Sequence, residues 1–401
     1  VVAVGTRLRA GAALLGPAFV AAIAYVDPGN VATNTAAGAR YGYLLVWVLV
    51  VANVMAGLVQ YLSAKLGLVT GKSLPEAVRD ELPRPVRLAY WGQAEVVAMA
   101  TDLAEVLGGA IALHLLFDLP LLLGGLITGV VSTVLLLVQD RGGQRPFERV
   151  ITTLLVVIAV GFAAGLFVAP PSVPSVLGGL TPRFADADSV LLAAGMLGAT
   201  VMPHAVYLHS ALARARHGRA PHLLPTTKVD VVIAMVLAGA VNMAMLLLAA
   251  ASLQGSSGVD TLEGAHAAVA STLGGGIALL FAIALLASGF ASTAVGCYAG
   301  AVVMDGLLRV RIPLLVRRLV TLVPALGVLA LGVDPTWALV LSQVVLSFGI
   351  PFALVPLVWL TARRSVMGAY ANRCGVTVGA SVVAVAVVVL NVALIYLTVS
   401  G

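Results

Sequence analysis

Apolar runs of roughly twenty residues or more recur along the chain, separated by short polar stretches. Eleven fall near residues 11–38, 43–68, 87–116, 119–138, 147–169, 187–212, 229–253, 274–304, 314–332, 335–361 and 376–399. A run of about twenty apolar residues spans a bilayer as an α-helix. Several runs exceed that minimum, which predicts tilted or interrupted helices. Two runs carry polar chemistry in mid-span. The first contains Ala24-Tyr25-Val26-Asp27-Pro28-Gly29-Asn30, and the sixth contains Gly198-Ala199-Thr200-Val201-Met202-Pro203-His204. Proline lacks an N–H and pushes the residue before it out of the helical region. The first helix is therefore expected to stop near Val26 and restart after Gly29. Non-helical backbone at bilayer depth survives only where it lines a cavity or is buried in protein. Five spans separate the two breaks, an odd number, so the two halves are expected to have opposite orientations. The pattern predicts one transmembrane domain over residues 1–401, with inverted repeat units about 11–169 and 187–361 and an extra helix about 376–399. Paired broken helices in inverted halves point to a secondary transporter with a midplane site.

Composition agrees with that class. The chain has 401 residues, 61% of them hydrophobic and only 10% charged, and its mean hydropathy is +1.07. A soluble domain carries about 25% charge. The net charge of +6 is sorted by loop. Twenty-one of the 23 basic residues fall in alternate connections: Arg7 and Arg9; Lys65 to Arg87; Arg141 to Arg149; Arg214 to Lys228; Arg309 to Arg318; and Arg363 to Arg373. Only Arg40 and Arg183 fall in the other set. The positive-inside rule places the first set in the cytoplasm, with the N-terminus inside and the C-terminus outside. The charge then reflects topology and attraction to lipid headgroups, and no nucleic-acid partner is expected. Cys297 and Cys374 lie on different runs, so a disulfide framework is not expected.

The breaks offer a cation site. Pro28 deprives the carbonyl of Ala24 of its helical donor, and Pro203 does the same to Ala199. Each break thus presents a carbonyl oxygen at the negative end of a half-helix. The Asp27 carboxylate, the Asn30 amide oxygen and the Met202 thioether complete the set. Hard Mg²⁺ and Ca²⁺ gain little from sulfur, whereas Mn²⁺, Fe²⁺ and softer divalents accept mixed ligands. Met202 as core filler and Asn30 as the cap of the restarted helix are the plainer readings. A single anion limits affinity, which suits cargo that must be released.

A second polar set lies on the third run. Glu95, Asp102 and Glu105 fall within an arc of roughly 80° at 100° per residue and extend over roughly 15 Å. An acidic face inside a membrane reads as an ion or proton relay. Arg317 and Arg318 are candidate counter-charges, or simply part of the topology signal. His204 is a candidate metal ligand, proton carrier or satisfied core residue. Gln343 is a candidate for the cargo shell, for a gate, or for a helix–helix hydrogen bond.

Together Asp27-Pro28-Gly29-Asn30, Met202-Pro203-His204 with Tyr207-Leu208-His209-Ser210, and the acidic residues from Glu95 to Glu105 resemble the Nramp family of divalent metal transporters. The likeness extends over nearly the whole chain, including Ala299 to Met304 and Arg317-Arg318. It implies an all-α, leucine-transporter-type fold of eleven transmembrane helices with discontinuous first and sixth helices. It also implies proton-coupled import of Mn²⁺ or Fe²⁺, with Cd²⁺ also accepted, across the plasma (inner) membrane. The metal is cargo; no cofactor and no enzymatic activity are expected. By the resemblance, Asp27, Asn30, Met202 and the carbonyls of Ala24 and Ala199 hold the metal, and Gln343 joins them in some conformations. Asp27, His204, Asp102, Glu105, Arg317 and Arg318 match positions tied to proton movement, to which the acidic face adds Glu95. Phe290-Ala291 departs from the Gln-Ser of many members. The competing readings are an amino-acid or sodium carrier of the same fold, an intramembrane metalloenzyme, and a channel. The carrier has no evident need for Met202, and the metalloenzyme lacks a His-Glu-x-x-His or comparable ligand cluster.

Overall fold

The computed structural model describes residues 16–256 and 258–400, with side chains described to residue 392. Arg7, Arg9 and the first few residues of the run expected near 11–38 lie outside the described residues. Every regular element among the described residues is helical.

The first run is broken as its sequence demands. Helix α1 (Pro17–Ala22) passes into a 3₁₀ turn (Ile23–Val26), and α2 (Pro28–Tyr41) follows. The restart comes earlier than the predicted position after Gly29. Pro28 itself is the first helical residue, where its missing N–H has no helical partner to lose. The cap is Asp27, not Asn30: the Asp27 carboxylate accepts the Asn30 N–H at 2.9 Å.

Helices α3 (Val46–Thr70), α4 (Leu74–Glu81), α5 (Arg84–Phe117), α6 (Leu121–Gly142) and α7 (Gln144–Val168) complete the first half. A short α8 (Val173–Gly178) precedes the second break, formed by α9 (Ala187–Thr200) and α10 (Pro203–His217). Then come α11 (Leu224–Ser252), α12 (Leu262–Leu273), α13 (Gly275–Leu308), α14 (Leu314–Ala330), α15 (Pro335–Ala362), α16 (Arg364–Met367) and α17 (Cys374–Ser400).

Among the described residues, nine helices are long and apolar enough to cross a membrane, with α9 and α10 counted as one. The chain is a multi-pass membrane protein. The runs expected near 11–38 and 314–332 form α1 with α2 and the 17-residue α14. The loop helices α4, α8 and α12 were not expected from hydropathy. Helix α4 is polar along much of its length and is started by a capping box between Ser73 and Glu76, a local signal independent of apolar period.

The long α5 and α13 pack along each other at the centre of the bundle, and α14 and α15 also lie against α5. The broken helix reaches this pair closely. A Cβ on Gly108 of α5 would collide with the Pro28 ring, so the break is seated where glycine lets a proline approach.

Candidate functional site

Both breaks are buried, and they meet. The Asn30 amide nitrogen donates to the Asp27 carboxylate at 2.6 Å and to the Ala199 carbonyl at 3.1 Å. One side chain therefore joins α2 to the end of α9 across 169 residues of sequence. Its amide oxygen is buried and has no hydrogen-bond partner. Met202 caps α10 in an extended conformation, with ψ 119°, and is wholly buried, as is Ala24 on the 3₁₀ turn. Gln343 of α15 lies against the same break. A Cβ on Gly29 would overlap its amide nitrogen and would also lie 3.2 Å from Asp27 Oδ2. The Gln343 amide nitrogen also has no hydrogen-bond partner.

Two carbonyls of the turn are already satisfied by side chains. The Asn242 amide donates to Tyr25 O at 2.7 Å, and the Ser288 hydroxyl donates to Val26 O at 2.6 Å. Asn242 is itself held by Asn34, whose amide donates to its oxygen at 2.7 Å. Sequence reasoning missed these clamps, although each is a lone polar group inside an apolar run. The Tyr25 hydroxyl accepts from Gln60 at 2.6 Å, and Gln60 Oε1 lies 2.8 Å from His209 Nδ1. The 3₁₀ turn is therefore held from α3, α10, α11 and α13.

The chemistry is a cluster of oxygen and sulfur donors around one carboxylate. Among the described residues, no three His, Cys, Asp or Glu side chains converge as a metal cluster. A cavity of about 270 Å³ lies beyond α2 on the Arg40 side, lined by Thr33, Arg40, Asp260, Glu263 and Thr336. Thr33 also donates to Gly29 O at 2.7 Å, so the cavity wall and the break share a helix turn.

The acidic face of α5 is organised by arginine. Arg318 donates to both Asp102 oxygens at 2.5 Å, and Arg317 pairs with Glu95. Both arginines are buried, and of the two readings offered for them the pairing bears out that of counter-charges to the acidic face. They occupy the first turn and a half of α14 and face α5 rather than solvent. Glu105 has no hydrogen-bond partner on either oxygen. His204 stands apart from these pairs. Neither ring nitrogen has a hydrogen-bond partner, and the ring lines a cavity of about 20 Å³ with Gln93, Tyr207 and Gly349. That volume admits a water molecule.

The sequence signature described as Nramp, natural resistance-associated macrophage protein-like, matches residues 18–397. The protein named divalent metal cation transporter MntH of Mycobacterium tuberculosis is 63% identical, over 99% of this chain and 94% of that protein. A solved structure of an Eremococcus coleocola manganese transporter superposes with a TM-score of 0.89 at 31% identity, covering 97% of this chain and 87% of that one. A nucleobase-cation-symport-1 family transporter shares the fold at a TM-score of 0.61 and 19% identity.

Proposed function

The chain belongs to the Nramp family, and from that premise we propose that it is a proton-coupled importer of divalent transition metal ions, chiefly Mn²⁺ and Fe²⁺, with Cd²⁺ also carried. The observation that carries the site assignment is the Asn30 amide, which bridges the only carboxylate at the breaks to the Ala199 carbonyl. Asp27, Asn30, Met202 and the carbonyls of Ala24 and Ala199 form the cargo shell, with Gln343 closing over Gly29. Rotation of the Asn30 amide offers its oxygen to the cation while Asp27 supplies the single negative charge. One anion leaves the bound divalent ion under-neutralised and therefore releasable. The thioether favours Mn²⁺ and Fe²⁺ over Ca²⁺ and Mg²⁺.

The cavity lined by Arg40 and Asp260 is the outer approach, given the orientation that the basic loops favour. That orientation places the N-terminus in the cytoplasm, the C-terminus outside, and the protein in the plasma (inner) membrane. The eleven-span count and the inverted units about 11–169 and 187–361, with α17 outside them, belong to this reading. Protons move by way of Asp27 and His204 and the α5 face of Glu95, Asp102 and Glu105, with Arg317 and Arg318 holding that face in place. The named relatives are transporters, which disfavours an enzyme, and an amino-acid carrier has no use for the thioether.

Uptake into proteoliposomes tests the assignment. Mn²⁺ enters and acidifies the lumen, Mg²⁺ and Ca²⁺ compete weakly, and Asp27→Asn abolishes both fluxes. Normal Mn²⁺ uptake by Asp27→Asn removes Asp27 from the site.

A further inference from the structure

We propose that the segment joining α15 to α17 binds the headgroup of an anionic phospholipid in the cytoplasmic leaflet, the leaflet following from the orientation proposed above. The segment is a preformed loop. The Asn372 N–H donates to Thr361 O at 3.0 Å, and its side-chain amide donates to Thr361 Oγ1 at 3.0 Å. Lys65, reaching from α3, donates to Asn372 Oδ1 at 2.6 Å. These bonds draw residue 372 back onto residue 361, so that Arg373 follows one end of the closed loop and Arg363 and Arg364 follow the other.

The loop holds uncompensated positive charge. No acidic residue follows Asp334 in the sequence. Arg363 is already engaged: it pairs with Glu81 at 3.0 Å and lies 4.1 Å over the Trp359 ring. The neighbouring Asp80 is taken by Lys72 at 2.7 Å. Arg364 and Arg373 are exposed and have no ion pair among the described residues. An anion arriving here meets two available guanidinium groups, and the nearby carboxylates are already neutralised. Guanidinium forks suit phosphate oxygens in particular.

The surroundings select a lipid over a soluble phosphate. Trp359 and Tyr370 flank the cations and are 45% and 44% exposed. Exposed indole and phenol rings are the side chains that settle at a membrane interface. From the same end, α17 presents Val378, Val382, Val385 and Val389 outward, a spacing that keeps them on one helix face. A headgroup between Arg364 and Arg373 would lay its acyl chains along that stripe. Free phosphate would use neither the rings nor the valines.

The test is lipid retention by the purified full chain, titrated in detergent with phosphatidylglycerol or phosphatidylcholine and read by native mass spectrometry. Each cation near an anionic headgroup contributes about five-fold in affinity. Arg364→Gln with Arg373→Gln is therefore expected to weaken phosphatidylglycerol retention roughly 25-fold and leave phosphatidylcholine retention unchanged. The paired Arg→Lys variant keeps most of the preference, which separates charge from folding. Equal retention of the two lipids by the wild type overturns the proposal, as does retention unchanged in the double Gln variant. Displacement of phosphatidylglycerol by millimolar inorganic phosphate reassigns the loop to a soluble anion and also overturns it. Because the readout is bound lipid, a failure here is distinct from a failure of the transport reading.

Discussion

Asp102 and Arg318 form a pair whose removal should be expensive on one side only. Both side chains are almost wholly buried, at 2% and 1% exposure. Arg318 makes both of its recorded bonds to Asp102 through one nitrogen, and its Nε and Nη2 have no other partner. The guanidinium charge therefore depends on Asp102. Breaking a buried pair from one side costs about 3–5 kcal/mol, whereas replacing both partners by apolar groups is near neutral. Asp102→Asn should thus lower the folded-to-unfolded ratio by roughly 150- to 5,000-fold. Asp102→Leu with Arg318→Met should recover most of that loss. Glu105 provides the comparison: it has no ion pair among the described residues and only the Ser292 hydroxyl stands near its oxygens, so Glu105→Gln should cost about 1 kcal/mol. Unfolding in mixed detergent–SDS micelles measures the three variants against the wild type. If Asp102→Asn costs no more than Glu105→Gln, or if the double variant is no better than the single, the pair does not carry the stability assigned to it.

Three further outcomes follow from the same geometry. Met202→Ala should lower the ratio of Mn²⁺ to Ca²⁺ uptake, and unchanged exclusion of Ca²⁺ in flux assays would show that sulfur does not set selectivity. Gly29→Ala should push aside the Gln343 amide, the flexible end of its side chain, and so impair Mn²⁺ uptake with thermal melting near the wild-type value; a strongly depressed melt would place the obstruction in the backbone instead. Glu76, on the loop helix α4, is pushed up by burial but is held below the ordinary carboxylate range overall by the Ser73 N–H and the Arg214 guanidinium. A depressed acid contributes its stability above the unfolded value and loses it as pH falls through the folded one. Protection factors against hydrogen exchange in residues 73–81 should therefore fall as pH drops below about 4.3, and Glu76→Gln should abolish that dependence.

The two breaks were legible because they violate the apolar pattern around them. Asp27-Pro28 and Met202-Pro203 cannot be lipid-facing helix, and the proline rule alone pointed to Ala24 and Ala199. The contact between the breaks was not legible. It depends on one amide reaching across 169 residues, and hydropathy carries no distance information between spans. The same holds for Asn242 and Ser288: each is a lone polar residue in a long apolar helix, and only packing shows which carbonyl it serves. For Arg317 and Arg318 position alone left two readings open, and packing chose between them: α14 begins three residues before Arg317, and both side chains turn to the acids of α5.

The clamps also explain how a broken helix can be both stable and usable. An unsatisfied backbone carbonyl in a membrane interior is costly, so a break that left every carbonyl free would unfold locally. Here Tyr25 O and Val26 O are satisfied by Asn242 and Ser288, which fixes the turn without drawing on the Asp27 carboxylate. Among the side-chain donors of the described residues, the Ala199 carbonyl is met by the Asn30 amide alone, a group that can exchange its nitrogen for its oxygen by rotation. Removing a clamp and removing the amide should therefore differ in kind. Ser288→Ala frees a carbonyl at a cost of about 1–3 kcal/mol and lowers stability, with the metal preference retained. Asn30→Ala spares the turn and abolishes uptake. Metal-dependent thermal stabilisation separates the two: both variants start lower, because each orphans a buried carbonyl, but Ser288→Ala keeps its Mn²⁺ shift whereas Asn30→Ala shows none. A full Mn²⁺ shift in Asn30→Ala would mean that the amide bridges the breaks without belonging to the cargo shell.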